Sequence, residues 1–272
     1  MCLLFLAVDI HPDFYIVAAA NRDEFYARPT RRMHVWEDHD QIIAGRDLER
    51  GGTWFGVTRQ GRWAAITNFQ EADASQHGTS RGALVSDYLT SEATPESYVH
   101  SLAASAHRYS GFNLVAGTVS HAVYFSNRDQ HIRSLTKGVY GLSNHLLDTP
   151  WPKVRNGKQN LLNLLDREHL DSDSLFFILN DQSPAADEDL PDPGTGIEWE
   201  RLLSSAFISG DAYGTRSSTT LLVNRNNRLK LEERTYGPDS SGCPSGYTSV
   251  THEFDVRYPQ VPTGSAGCFS TP

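Results

Sequence analysis

An α+β fold, with antiparallel sheets and helices packed outside them, is predicted by two blocks of short strands and by the helical block that separates them. Leu3–Val8 and Tyr15–Ala20 are apolar runs on either side of Asp9-Ile10-His11-Pro12-Asp13, whose Pro and Asp residues signal a turn. They read as a β-hairpin. A long antiparallel ladder takes its register from its turn, so symmetric pairing sets Cys2 beside Asn21-Arg22-Asp23-Glu24. A second hairpin reads as Thr53–Thr58, a Gly-containing turn at Arg59-Gln60-Gly61, and Arg62–Thr67, with aromatic and β-branched residues on both arms. That strand ends at Asn68.

Helices are expected next at Gly82–Ser91 and from Pro95 to about His107, the latter with Thr94 as N-cap, Pro95 in the first turn and Glu96 nearby. Strands resume at Phe112–Ala116, Ala122–Ser126 and Val139–Ser143, broken by Gly111, Gly117, Gly138 and Gly141. A helix is expected from about Pro152 to Leu165. The stretch Ser183–Gly196, rich in acidic residues and prolines, reads as a surface loop inside one domain spanning 1–272 rather than as a linker between cores. Ser218–Asn224 and Arg228–Thr235 form a further hairpin around Arg225-Asn226-Asn227. No repeat or heptad pattern is present, and the element order takes the fold no further.

Composition narrows the partners. The chain has 272 residues, 39% of them hydrophobic, and a formal charge of −9 with no Lys/Arg block. Nucleic acid and anionic membrane surfaces are therefore not expected as main partners, which leaves small neutral or cationic partners open. Leu3–Val8 is not expected to be a signal peptide, since no basic residue precedes it and Asp9 ends it, and it is too short to span a bilayer. No integral membrane association is expected. Three cysteines, at positions 2, 243 and 268, make no disulfide framework and favour a reducing, cytoplasmic setting. The 11 histidines include no His-x-x-x-His and no paired Cys/His spacing, so no structural metal is expected. No motif sets an oligomeric state.

The residues that carry chemistry start with Cys2. Removal of Met1, which a small second residue permits, would leave a thiol and a free α-amine on one residue. In model compounds the amine titrates near about 8 and the thiol near about 8.5, so the amine can act as the base for its own thiol. Arg22, delivered by the hairpin register, would favour the thiolate by charge. Asp23 could hold the ammonium form of the amine through a charge-assisted hydrogen bond. Amide or ester cleavage also needs donors aimed at the developing oxyanion, and Asn68 and Asn144 are candidates.

Asn21-Arg22-Asp23-Glu24 shortly after an N-terminal Met-Cys resembles the signature of the NRDE, or transport and Golgi organisation 2, family. The resemblance extends through Gly51-Gly52-Thr53-Trp54-Phe55-Gly56, Ala65-Ile66-Thr67-Asn68, Gly141-Leu142-Ser143-Asn144 and Gly214-Thr215-Arg216-Ser217-Ser218-Thr219. The family in turn is similar to cysteine N-terminal-nucleophile hydrolases such as penicillin V acylase and bile salt hydrolase. This implies a four-layer αββα sandwich of two antiparallel sheets flanked by helices, and a catalytic set of Cys2, Arg22, Asp23, Asn68, Asn144 and Arg216. Those acylases space their arginine and aspartate about three residues apart, whereas Arg22 and Asp23 are adjacent, so Glu24 could share the aspartate's role. Asn21 and Glu24 would contact the ligand. Each residue also has an ordinary reading. Cys2 could be a small apolar strand residue, Arg22–Glu24 a solvated hairpin end, the asparagines turn residues, and Arg216 an ion-pair partner. Cys243 and Cys268, in Gly/Ser/Pro-rich segments, look incidental.

Two functions are expected from this reading. The first is an amidohydrolase acting on non-peptide C–N bonds through Cys2, with no cofactor required. The second, implied by the family's links to haem trafficking and to lipid or acyl-coenzyme A metabolism, is a cytoplasmic carrier that holds haem or a lipid in the same cleft without turnover.

Overall fold

The computed structural model describes residues 2–71, 79–167, 169–191, 196–237 and 246–257. Strict alternation builds its first hairpin. In β1 (Cys2–Val8), Leu3, Phe5 and Ala7 face one way and Leu4, Leu6 and Val8 the other, and both sets are buried. A strand buried on both faces must be central, and β1 lies between β2 (Phe14–Phe25) and β10 (Gly138–Leu142). The six-stranded sheet runs β10-β1-β2-β11-β12-β13, with β11 at Tyr213–Asn224, β12 at Arg228–Tyr236 and β13 at Tyr247–Asp255. The second, seven-stranded sheet runs in chain order through β3 (Thr30–Val35), β4 (Ile42–Asp47), β5 (Phe55–Thr58), β6 (Trp63–Asn68), β7 (Phe112–Gly117), β8 (Ala122–Ser126) and β9 (Ile132–Leu135). Every strand pair in both sheets is antiparallel.

Three apolar layers hold these elements together. Leu4, Leu6, Val8, Ile16, Val57, Trp63, Val115 and Leu221 fill the space between the sheets. The outer face of the six-stranded sheet packs through Leu3, Phe5 and Ala19 on α3 (Pro152–Leu165) and α4 (Ser172–Leu179). The outer face of the seven-stranded sheet packs through Ala64, Leu114 and Phe125 on α1 (Arg81–Thr90) and α2 (Pro95–Ala103). The order helix, sheet, sheet, helix is the four-layer αββα sandwich. Among the described residues, no helix is long and apolar enough to cross a membrane.

Several boundaries differ from the sequence reading. The helix expected to reach His107 stops at Ala103, and a 3₁₀ turn at Ala106–Arg108 follows. Thr94 caps α2 as expected, its hydroxyl accepting from the Ser97 N–H at 3.2 Å. Thr53 and Trp54 lie outside β5, because Gly52-Thr53 leaves the sheet to pack backbone to backbone on the start of α1. A Cβ on Gly52 would sit 2.3 Å from the Gly82 carbonyl carbon, and the Thr53 N–H donates to the Gly82 carbonyl at 3.2 Å. Strands β3, β4, β9 and β13, helix α4 and a short α5 (Ile197–Leu203) were not expected. Residues 183–191 are mostly exposed, as a surface loop requires, while 192–195, Cys243 and Cys268 lie outside the described residues.

Candidate active site

Cys2 pairs directly with Arg22 in the β1–β2 ladder, and Leu3 pairs with Asn21. Alternation from Leu4 and Leu6 places Cys2 on the face between the sheets. There it opens into a cleft of about 670 Å³, lined also by Arg22, Asp23, Glu24, Trp54, Asn68 and Arg81. Cys2 is half-buried. Burial pushes its thiol up, and Asp23 adds to the effect, while Arg22 and the Asp23 backbone N–H pull it down.

Arg22 is 5% exposed and firmly placed. Its guanidinium lies 4.3 Å from the Trp54 ring centroid, donates to Thr30 Oγ1 at 3.2 Å and pairs with Asp47 at 3.8 Å. Trp54 also packs its indole edge closely on Gly45, where a Cβ would lie 2.3 Å from the ring. Asp23 turns toward the opposite sheet face, where Thr215 Oγ1 donates to its carboxylate at 2.7 Å. Burial raises the Asp23 carboxyl, and Lys153, Thr215 and Arg22 work against that shift. Glu24 lies on the cleft rim beside Arg28, at 3.7 Å.

The remaining expected site residues divide between the lining and its supports. Asn68 lines the cleft at the end of β6. Asn144 is fully buried and donates from Nδ2 to the Asn68 carbonyl at 2.8 Å, so it holds the neighbouring strand end. Arg216 sits at a bulge in β11 and donates from Nη1 to the carbonyls of Phe25, Tyr26 and Arg28 at 2.9, 3.1 and 3.1 Å. It braces the turn that forms the rim. Asn21 is a correction: strand alternation turns it away from Cys2, and it is 1% exposed. It donates to the carbonyls of Leu179 and Ala206 at 2.9 and 2.8 Å and accepts from Ser218 at 2.6 Å. Period-2 geometry splits Asn21–Glu24 between the two faces of the sheet.

Three groups near the site carried no sequence signal. Lys153, in the first turn of α3, is buried, donates from Nζ to the Leu203 carbonyl at 2.6 Å, and is held below the usual lysine range by burial, with Asp23 opposing. Arg81 begins α1. Glu233 on β12 accepts from the Met33 N–H at 2.6 Å between the two sheets. Only long-range packing brings Lys153 and Arg81 toward Cys2 and Glu233 toward Arg22. Among the described residues, no group of three His, Cys, Asp or Glu side chains could hold a metal ion.

Burial pushes the Glu233 carboxyl up to about 7 from 4.5, against the pull of the Met33 N–H and Arg22. The folded protein therefore binds this proton more tightly than the unfolded chain. Its stabilising contribution is complete below about pH 4.5 and lost as pH rises through about 7. Melting temperatures measured from about pH 5 to about pH 8 should fall less steeply in Glu233→Gln than in the wild type. Parallel slopes would show that Glu233 does not titrate there.

The match to known proteins agrees with this architecture. Residues 1–238 match the family model described as Transport and Golgi organisation 2. The chain is 36% identical over 279 residues to the Transport and Golgi organization protein 2 homolog of Bos taurus, covering 94% of this chain and 100% of that one. The Homo sapiens homolog is 35% identical over 278 residues, with the same coverage. Among solved structures, a mutant conjugated bile acid hydrolase from Clostridium perfringens superposes with a TM-score of 0.50 at 9% identity, covering 94% of this chain and 97% of that one. That likeness concerns the fold alone, a sandwich of two antiparallel sheets flanked by helices. On the family match and these identities, the chain belongs to the Transport and Golgi organisation 2 family.

Proposed function

We propose that the protein is a cysteine amidohydrolase acting on non-peptide C–N bonds, with Cys2 as nucleophile after loss of Met1. The observation that carries this reading is the placement of the Cys2 sulfur, level with Arg22, in a roomy cleft between the sheets. With Met1 removed, the α-amine takes the thiol proton and the sulfur attacks the substrate carbonyl carbon. Asn68 is the donor available to the oxyanion, backed by Asn144. Asp23 orients the ammonium group. The amine proton passes to the leaving nitrogen as the C–N bond breaks, leaving a thioester on Cys2. Water then cleaves the thioester, releasing a carboxylic acid and restoring the thiol. A reducing cytoplasm would keep that thiol available.

A half-buried thiol raised in pKa needs its free amine to react near neutral pH. Timed labelling with iodoacetamide should therefore modify Cys2 faster than Cys243 and Cys268 in processed protein, and the advantage should vanish when Met1 is retained. Equal rates at all three cysteines in processed protein would refute the nucleophile. The carrier reading is kept only as an outcome of titration with haem: the described lining offers no histidine, which leaves Cys2 as the iron ligand. A saturable Soret shift lost in Cys2→Ala, without acyl turnover, would favour the carrier.

A further inference from the structure

The cleft holds four arginines, and three of them are matched by carboxylates. Arg28 pairs with Asp47, Glu49 and Glu24 at 2.6, 3.2 and 3.7 Å. Arg22 pairs with Asp47 and Arg50 with Glu49, at 3.8 and 3.9 Å. Arg81 differs. Among the described residues it has no carboxylate within ion-pair distance, and its one hydrogen bond is from Nη1 to the Gly111 carbonyl at 3.2 Å. The Gly52–Gly82 backbone contact fixes the helix start on which it sits.

A half-buried guanidinium with most of its planar fork unspent is costly unless an anion completes it. We propose that Arg81 binds an anionic group of the substrate, a carboxylate or a phosphate, while the substrate's carbonyl lies over Cys2. This rests on the reading of Cys2 as the reactive centre and names the class of compound it acts on: an acyl compound that is itself an anion. Arg81 and Cys2 line the same cleft; burial draws the Arg81 guanidinium below its usual range, with Cys2, Glu24 and Glu71 opposing the shift. A guanidinium fork grips a carboxylate or phosphate with two parallel donors, which orients as well as attracts. The carboxylates Glu24, Asp47 and Glu49 are engaged by Arg28, which leaves the Arg81 fork without a direct carboxylate contact among the described residues.

The test uses the full-length, Met1-processed protein and compares two alkylating agents at Cys2, anionic iodoacetate and neutral iodoacetamide. The ratio of their rates should fall about tenfold in Arg81→Gln, the worth of one good charge-assisted contact. Arg81→Lys should keep most of the ratio, and Arg50→Gln should leave it unchanged. An unchanged ratio in folded Arg81→Gln would overturn the proposal. Protection of wild-type Cys2 from iodoacetamide by succinate or by inorganic phosphate is measured alongside, so that misfolding of the variant does not end the test. Protection by succinate assigns a carboxylate and protection by phosphate a phosphate, while protection by neither counts against the site. The readout is alkylation rather than hydrolysis. A ratio that responds to Arg81 in a protein without acyl turnover would sink the hydrolase and spare the anion site, and turnover of neutral acyl compounds with an unresponsive ratio would do the reverse.

Discussion

Acyl-amide turnover should fall by at least about 10³-fold in Cys2→Ala, with the melting temperature nearly unchanged. The sulfur is the only atom lost. It belongs to the first residue of β1, half-buried at the mouth of a cleft, so its removal leaves no sealed cavity and breaks no strand pairing. Alanine at position 2 also permits removal of Met1, so processing is held constant between the two proteins. An enzyme that used the cleft only to position water would retain much of its rate in this variant. Arg22 can be separated from Cys2 in the same assay, because its support comes from Trp54, Thr30 and Asp47 rather than from the sulfur. Turnover by Cys2→Ala within tenfold of wild type would remove the cysteine from the mechanism.

The second large effect concerns stability. Asn21→Ala should destabilise the fold by about 3–5 kcal/mol, since it strips partners from two buried carbonyls and one buried hydroxyl at once. Those bonds tie β2 to the end of α4, to the Ala206 segment and to β11. The melting temperature should fall by roughly 10 °C, at about 2–4 °C per kcal/mol for a domain of this order. Iodoacetamide should still label Cys2 selectively at low temperature, because Asn21 faces away from the cleft. Loss of selective labelling in folded Asn21→Ala, with little change in melting temperature, would place Asn21 in the site after all.

Asn21 also shows where reading the chain succeeds and fails. The hairpin turn at Asp9–Asp13 set the β1–β2 register well enough to pair Cys2 with Arg22, and that pairing is the heart of the site. The same alternation that joins those two side chains separates Asn21 from both, but a contiguous tetrapeptide motif invites the assumption that its members share one task. Helix α3 was legible because Pro152 and the apolar spacing that follows mark its start and face. Helix α4 was not. Its run Leu175-Phe176-Phe177-Ile178-Leu179 is apolar all round, with Phe177 exposed on the surface, so no periodicity announces a helix. Strand β3 hides for a different reason. A register shift between Arg31 and His34 breaks its alternation, and Met33 is its one fully buried residue. Arg81 and Lys153 reach the site through sheet and helix packing from distant parts of the chain, which local pattern cannot encode.

Those packed neighbours matter because burial alone works against the chemistry: it raises the thiol of Cys2 and the carboxyl of Asp23 together. The guanidinium of Arg22 and the ammonium groups near Asp23 are what a reactive sulfur needs in compensation. The most direct measurement is therefore the intact mass and peptide map of the purified protein after brief exposure to an activated acyl ester. A chain lacking Met1 and carrying one hydroxylamine-labile acyl group on Cys2 is the predicted result. A processed chain that carries no acyl group, or carries it on Cys243 or Cys268 instead, would contradict it.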